Sequence, residues 1–535
     1  MSRVRESRWF GRRVAIVLAL ATALGVAVAP APVAAQELKV AMSSPPNSMD
    51  PHFYNLFSNI NVSEHVFESL IKMDADSRIT PSLAESWKLV DNLTWEFKLR
   101  KDAKFHDGSD VTAEDVAWSI DRTSKIVNSP GKFDVYTKSI VKKELVDPKT
   151  IRLITATPYP LMLSDLTSIF IVSKKATDGL SSDDFSSGKG MVGSGPFKFQ
   201  SFARDDRVEL VRNDQYWGPR PAWTKVTLRF IPQPATRVAA LLAKDVDAIE
   251  NVPTADLKRI RESKDLTFFS KVSHRVIYLN LDQREKTPFV TDKDGKPLEK
   301  NPFREQRVRD AMTIAINRMA IRDRVMEGLS EPTSNMVPAT LFGHVPDLQV
   351  PKYDPDRAKK LLADAGYPNG FKMQFSFTQD RLPGDRQVGT SIAQMLAAIG
   401  IDAKADAQPA AVFFPARTRG DFSASMSGWG TLTGEAHYTL SSLAHSNDKD
   451  KKMGAFNVLN YKNPVMDKLL QDAAIEMDVN KRRKYLEDAN ALVEKDRQRL
   501  PIVAVGSAWA MQKDKVTIKP RVDEDTLAMN IKPAK

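Results

Sequence analysis

Apolar and polar positions recur along the chain with two different periods, and the periods alternate. Leu38-Lys-Val-Ala41 opens with a short strand. Val62, Val66, Phe67, Leu70 and Ile71 fall at helical spacing and predict a helix over 61–72. Trp95-Glu-Phe-Lys-Leu99 alternates and reads as a half-buried strand. Thr112 precedes a helix over 113–124, with Asp115 three residues on as its capping-box partner. Alternating strands follow at 197–199, 207–211 and 225–231, then a helix at 236–244 and a strand starting at Ala248-Ile249. The run 275–280 reads as a strand crossing between lobes, and 285–302 as a polar loop. A long helical stretch is expected over 306–328, ending at a glycine, and another helix over 356–366. Beyond them come a strand at 373–377, a helix at 387–400, a strand at 401–405, two helices within 465–494 and a buried strand at 502–505. Strands alternating with helices predict α/β lobes with partly parallel sheets.

The first thirty-five residues do not belong to that pattern. Arg3, Arg5, Arg8, Arg12 and Arg13 precede an apolar run over 14–29, and small residues Val33 and Ala35 precede Gln36. Basic, apolar and small-residue parts in that order mark a secretory leader cleaved after Ala35. Sixteen apolar residues fall short of the roughly 20 that span a bilayer. Removing 1–35 takes away five arginines and one glutamate, which lowers the net charge from +11 to +7. The basic runs at 449–452 and 481–484 have acidic neighbours and read as solvated faces, so nucleic acid is not the expected partner. A length of 535 residues suggests about three domains at roughly 100–200 residues each. The chain has no cysteine, which excludes disulfides, lipid anchoring at a lipobox, thiol nucleophiles and iron–sulfur clusters.

Catalytic patterns fail on their context. Gly188-Lys-Gly-Met-Val-Gly193 matches G-x-G-x-x-G but follows a Ser/Asp-rich loop and runs into Ser194-Gly-Pro196 rather than a helix. Asp292-Lys-Asp-Gly295 is a fragment of a calcium loop and reads more simply as a turn. No two of the seven histidines form an i, i+4 pair; His437 and His445 merely share a segment. No cofactor is expected, and no enzymatic constellation is recognisable.

An ordered set of short motifs carries a resemblance. It begins with Asn47-Ser-Met-Asp-Pro51, Val66-Phe-Glu-Ser-Leu70, Thr80-Pro-Ser-Leu-Ala-Glu-Ser-Trp87, Phe105-His-Asp-Gly108 and Ala113-Glu-Asp-Val116. It continues with Val192-Gly-Ser-Gly-Pro-Phe197, Arg212-Asn-Asp-Gln-Tyr-Trp-Gly218, Val308-Arg-Asp-Ala-Met312 and Ala365-Gly-Tyr-Pro368. Together they resemble the family 5 extracellular solute-binding proteins of ABC importers, the dipeptide, oligopeptide and nickel group, over about 38–510. The resemblance implies a two-lobed periplasmic binding protein fold of type II with an inserted extra domain and a ligand cleft between the lobes. It implies hinge closure on a solute, with no reaction. The division expected is 36–74 and 191–282 for the first lobe, 75–190 for the insert, 283–498 for the second lobe, and 499–535 for a return and tail.

The resemblance also selects candidate ligand residues. Arg381 follows a strand and precedes a helix, where strand-exit loops face interdomain crevices. In peptide-binding relatives an arginine so placed pairs the ligand carboxylate; the alternative is a surface arginine among Asp380, Asp385 and Arg386. Trp429, between Gly428 and Gly430, is a cleft aromatic or a hinge-packing one. Tyr54 and Asn55 resemble the segment that lines the cleft from the first lobe. Peptide binders carry an aspartate just after the tryptophan, and this chain has Leu432 near that position. Glu435 substitutes for it, or the ligand lacks an N-terminal ammonium; His437 lies in the same segment and completes the set. The expected partners are a small peptide-like solute, anionic if Arg381 pairs it, and an inner-membrane ABC permease, with the protein a monomer. An opine, a metal chelate, a sugar conjugate, or less readily a secreted hydrolase, are the alternatives.

Overall fold

The computed structural model describes residues 36–379 and 381–534, so the leader expected at 1–35 lies outside the described residues. Two long strands, Leu266–Leu281 and Arg499–Gln512, pair antiparallel from Leu266 opposite Gln512 to Asn280 opposite Arg499. They form the middle of a twelve-stranded mixed sheet. On one side the sheet continues through Ala248–Ile249, Glu37–Met42, Lys225–Phe230, Arg207–Arg212 and Phe197–Ala203. On the other it continues through Ala424–Gly430 and Phe371–Thr378, which Val290–Thr291 and Ile401–Gln408 flank. Parallel pairs occur in both halves, Glu37–Met42 with Lys225–Phe230 and Phe371–Thr378 with Ile401–Gln408.

The crossing pair feeds two separate cores. Trp509 and Met511 pack with Leu38, Val40 and Phe197, whereas Val503 and Ile277 pack with Phe375 and Ile392. Every residue of Arg499–Gln512 is buried, as expected of a strand covered on both faces. Between the cores the ladder breaks: Val272 opposes Gly506 and Val276 opposes Ala504, which leaves Ser273, His274 and Arg275 outside this pairing. Ser273 Oγ donates to the Val505 carbonyl at 2.9 Å and fixes the irregularity. A bulge bends the strand it sits in, and this one sits where one core gives way to the other.

A third core lies within 75–190, with additions from the flanking chain. Ala84–Asp91, Thr94–Leu99, Thr150–Thr155 and Ile140–Asp147 form a four-stranded antiparallel sheet, covered by the helix Ala113–Lys125. Phe97, Ile151 and Val116 are fully buried between sheet and helix. The capping box forms: Asp115 Oδ2 accepts from Thr112 N at 2.9 Å, and Thr112 Oγ1 accepts from Asp115 N at 3.4 Å. Thr112→Ala is expected to cost about 1 kcal/mol in urea unfolding. A loss of only a few tenths of a kcal/mol would mean that the packed face alone holds this helix.

Two predicted helices break early. The expected helix over 61–72 is Phe57–Val66, after which Glu68–Ser69 pairs with Phe170–Ile171 and Ile71–Met73 with Ile79–Pro81. Leu70 and Ile71 are fully buried, but from extended backbone, because strand partners distant in sequence satisfy it there. The stretch 306–328 is helical over Gln306–Ala315 and again, after a break, over Arg318–Ala320 and Ile321–Val325. Ile316 is extended, and Asn317 caps a new short turn by accepting from Ala320 N at 2.9 Å.

Gly193 shows what the G-x-G-x-x-G match is for. A Cβ there would stand 1.9 Å from the Val66 carbonyl oxygen, and Gly195 N donates to that same oxygen at 2.9 Å. Close backbone approach requires glycine here, with no phosphate involved.

Candidate functional site

The segment after the strand Phe371–Thr378 turns into the helix Asp385–Ala397 and carries Arg381. Asp385 shapes the turn: its carboxylate accepts from Thr378 Oγ1 at 2.7 Å and from the backbone N–H groups of Arg381 and Leu382. Asp385 therefore holds the Arg381 backbone. The Arg381 guanidinium points elsewhere, with Nη1 donating to the Gly428 carbonyl at 2.9 Å and Cζ 4.8 Å from the centre of the Phe414 ring. No carboxylate of the described residues pairs with it. Arg381 is exposed along one side, yet the protein around it strips water from the charge. That burial, with Arg275 and Arg417 nearby, pulls its pKa down to about 10.

Trp429 lies on the strand Ala424–Gly430, one residue beyond the carbonyl that Arg381 holds. Its ring packs 5.5 Å from Tyr438 and edge-on to Phe456 at 5.1 Å. Its Nε1 is buried without a hydrogen-bond partner. The glycines beside it admit side chains: a Cβ on Gly428 would stand 2.5 Å from Leu382 Cδ1, and one on Gly430 3.3 Å from Arg275 Nη2.

From the first lobe, Tyr54 bridges to Gly131 and lies over it, where a Cβ would meet the tyrosine ring at 2.9 Å. Asn55 Nδ2 donates to Tyr136 Oη at 2.8 Å. Tyr136 in turn interacts electrostatically with Tyr438, so Asn55 and Tyr136 face the aromatic group around Trp429. These residues come from six separate stretches of sequence, around 54, 136, 381, 414, 429–438 and 456.

Glu435 and His437 are held differently. Glu435 is bound by Arg482 through both guanidinium nitrogens, one at 2.7 Å, and both residues are buried. His437 is buried and its Nε2 lies 3.2 Å from the Leu470 carbonyl; burial lowers its pKa to about 4, so it is neutral. Leu432 is exposed, near where an aspartate was expected to matter. Sequence reasoning missed Tyr136, Tyr438, Phe414, Phe456, Tyr278 and Arg417. Arg417 sits on the helix Ala410–Arg419, whose sequence has no clear apolar stripe and carries Pro415 in its interior.

A cavity of about 750 Å³ adjoins this site without coinciding with it. Asn55, Tyr136 and Leu432 line it together with Glu64, Glu68 and Arg521, but Arg381 and Trp429 do not. Burial pushes Glu68 up to about 7, against hydrogen bonds from Tyr216 at 2.8 Å and Trp217 at 2.7 Å.

Carboxylates also face each other between the lobes. Burial pushes Asp165 up to about 8; Tyr159 donates to it, and the negative charge of Glu435 raises it further. A folded-state pKa above the ordinary 3.8 means that folding favours the protonated acid. Its contribution is therefore full at low pH and is lost as pH rises from about 4 to about 8. The Tm of the wild type relative to Asp165→Asn should fall across that window and level off above it. A difference that stays constant with pH would contradict this.

The model of the family Bacterial extracellular solute-binding proteins, family 5 Middle, matches residues 78–451. A glutathione-binding protein GsiB of Escherichia coli O1:K1 is 27% identical over 497 residues, covering 91% of this chain and 92% of the relative. The periplasmic binding protein DppA of Helicobacter pylori, solved with the peptide STSA, superposes with a TM-score of 0.73 at 25% identity, over 93% of this chain and 98% of that one. The binding protein AgaA of A. tumefaciens R10, solved with agropinic acid, gives 0.70 at 25% identity, covering 93% of this chain and 99% of its own. With that family model matching most of the chain and a mixed α/β fold that superposes on these solved proteins, the chain belongs to the family 5 bacterial extracellular solute-binding proteins.

Proposed function

We propose that the protein is the periplasmic solute-binding component of an ABC importer and captures a small, peptide-like anion between its lobes. One observation carries the reading: Arg381 presents a desolvated guanidinium, without a carboxylate partner among the described residues, over the Phe414 ring and against the Gly428 carbonyl that precedes Trp429. A guanidinium in that state pairs a ligand carboxylate through two parallel hydrogen bonds. Relatives named for glutathione and for a peptide ligand support the solute class. Tyr54 and Asn55 shape the facing wall, and the bulge at 273–275 is the pivot of closure. Closure strengthens the charge pair by expelling water.

The amino end of the solute is held differently from that in a dipeptide binder. Leu432 supplies no charge, and Glu435 is engaged by Arg482. That pairing favours a solute whose ammonium is absent or remote, and so also favours an anionic non-peptide of the kind AgaA is solved with. The leader is cleaved after Ala35, and the mature protein acts as a monomer that delivers its solute unchanged to an inner-membrane permease, with no nucleic-acid partner and no cofactor.

Mass spectrometry of small molecules released by denaturing protein purified from the periplasm tests this. A solute that binds only the folded form raises Tm with its concentration. An anionic peptide recovered intact and stabilising the fold supports the proposal. A neutral or cationic solute overturns the role of Arg381, and a solute found as cleavage products overturns transport in favour of a hydrolase.

A further inference from the structure

Cations accumulate around Tyr278 beyond what one carboxylate needs. Arg417 Cζ lies 4.8 Å from the centre of the Phe414 ring, the same distance as Arg381 Cζ, so the two guanidinium carbons are no further apart than twice that length. Arg417 also lies 5.7 Å from the Phe456 ring, which itself packs on Trp429. Its guanidinium makes no hydrogen bond or ion pair with any described residue. Arg499, fully buried, interacts electrostatically with both Tyr278 and Arg417. Among the described residues its only side-chain hydrogen bond is to Gln498 Oε1 at 2.7 Å, and its Nε has no partner. Arg275 is the exception, since Glu524 lies 3.4 Å from it.

The unsatisfied nitrogens share one property. Trp429 Nε1, Arg499 Nε and Gln498 Nε2 are buried donors without acceptors among the described residues, and Arg417, half-buried, adds guanidinium donors that no described residue engages. Buried donors left unpaired are costly, and a group of them is matched by a ligand rich in acceptor oxygens. Three arginines without carboxylate partners, packed around one tyrosine, repel each other unless negative charge enters among them. Aromatic faces at Phe414 and Phe456 hold the guanidiniums in place and leave their edges available.

We propose that Arg417 is a second anion-binding residue, paired with Arg381 across Phe414, and that the cleft selects a solute carrying two negative groups. The proposal rests on the reading of the cleft as a site for a peptide-like anion, and it narrows the class to a compound with two carboxylates. Arg381 takes one carboxylate, Arg417 takes the other, and Arg499 supplies positive potential from behind.

The test is calorimetric titration of the mature protein with reduced glutathione, which has two carboxylates, and with its glycine monoethyl ester, which has one. Wild type should bind the diacid at least about tenfold more tightly, the ratio that corresponds to roughly 1.4 kcal/mol. Arg417→Gln should remove that preference while leaving ester affinity within about threefold. Arg417→Lys should restore part of it, because a point charge remains without the fork. Unfolding curves that overlay wild type establish that these variants are folded. Equal affinity of wild type for the two probes overturns the second anion site alone. So does equal weakening of both probes by Arg417→Gln, the mark of a packing role. Failure of both probes to bind overturns the peptide reading of the cleft, and this inference with it.

Discussion

Glu435→Ala is expected to destabilise the protein by about 3–5 kcal/mol in chemical denaturation, because it strands a buried cation. Arg482 is 3% exposed and Glu435 6%. Beyond Glu435, the Arg482 guanidinium has the Ala473 carbonyl at 3.0 Å and the Phe342 ring at 5.6 Å, neither of which neutralises it. The helix Val479–Asp496 carries Arg482, and Glu435 precedes the helix Ala436–Leu443, so the pair ties two helices of one core together. Glu435→Gln keeps the shape and one hydrogen bond and should cost less. The same experiment decides what Glu435 does. A residue that waits for a ligand ammonium would lose binding on substitution and keep its stability. Glu435→Ala with unchanged unfolding would return it to the cleft as a ligand group.

Arg381→Ala should weaken binding of an anionic solute by roughly 2–5 kcal/mol, as expected for truncating one partner of a desolvated charge pair. The backbone of the turn survives, because Asp385 holds it through the Arg381 and Leu382 N–H groups, not through the guanidinium. Stability should therefore change little while affinity falls, and most of the loss should appear as faster release. The Phe414 face and the Gly428 carbonyl lose a neighbour, but Arg417 stays over Phe414. Unchanged affinity would make Arg381 a loop residue of the kind its neighbours Asp385 and Arg386 suggest.

Local regularity made much of the fold legible in the sequence. The helix after Thr112 was announced by its cap, and the strand at 95–99 by its alternation. Motif residues turned out to have structural work. Asp50, in the Asn47–Pro51 motif, lies buried in a two-pronged pair with Arg122, both bonds 2.7 Å. Trp429 and Arg381 were legible as positions, from a strand exit and a Gly-flanked aromatic, and the structure places them one residue apart through the Gly428 carbonyl. The Glu435–Arg482 pair was not legible, because 47 residues separate its members and either alone looks like a solvated charge. Arg417 left no signal for the same reason. Its meaning comes from Phe414 and Phe456 and from two other arginines, contacts that a local pattern does not encode.

The central claim is that the cleft binds an anionic solute through Arg381 and returns it unaltered. The most direct measurement is an equilibrium titration of the mature protein with the solute recovered from it, followed by chromatography of the solute from the same cell. The account predicts one saturable site, solute recovered intact, and affinity lowered at least about thirtyfold in Arg381→Ala, the lower end of the 2–5 kcal/mol range. Solute converted to product, or affinity indifferent to Arg381, would contradict it.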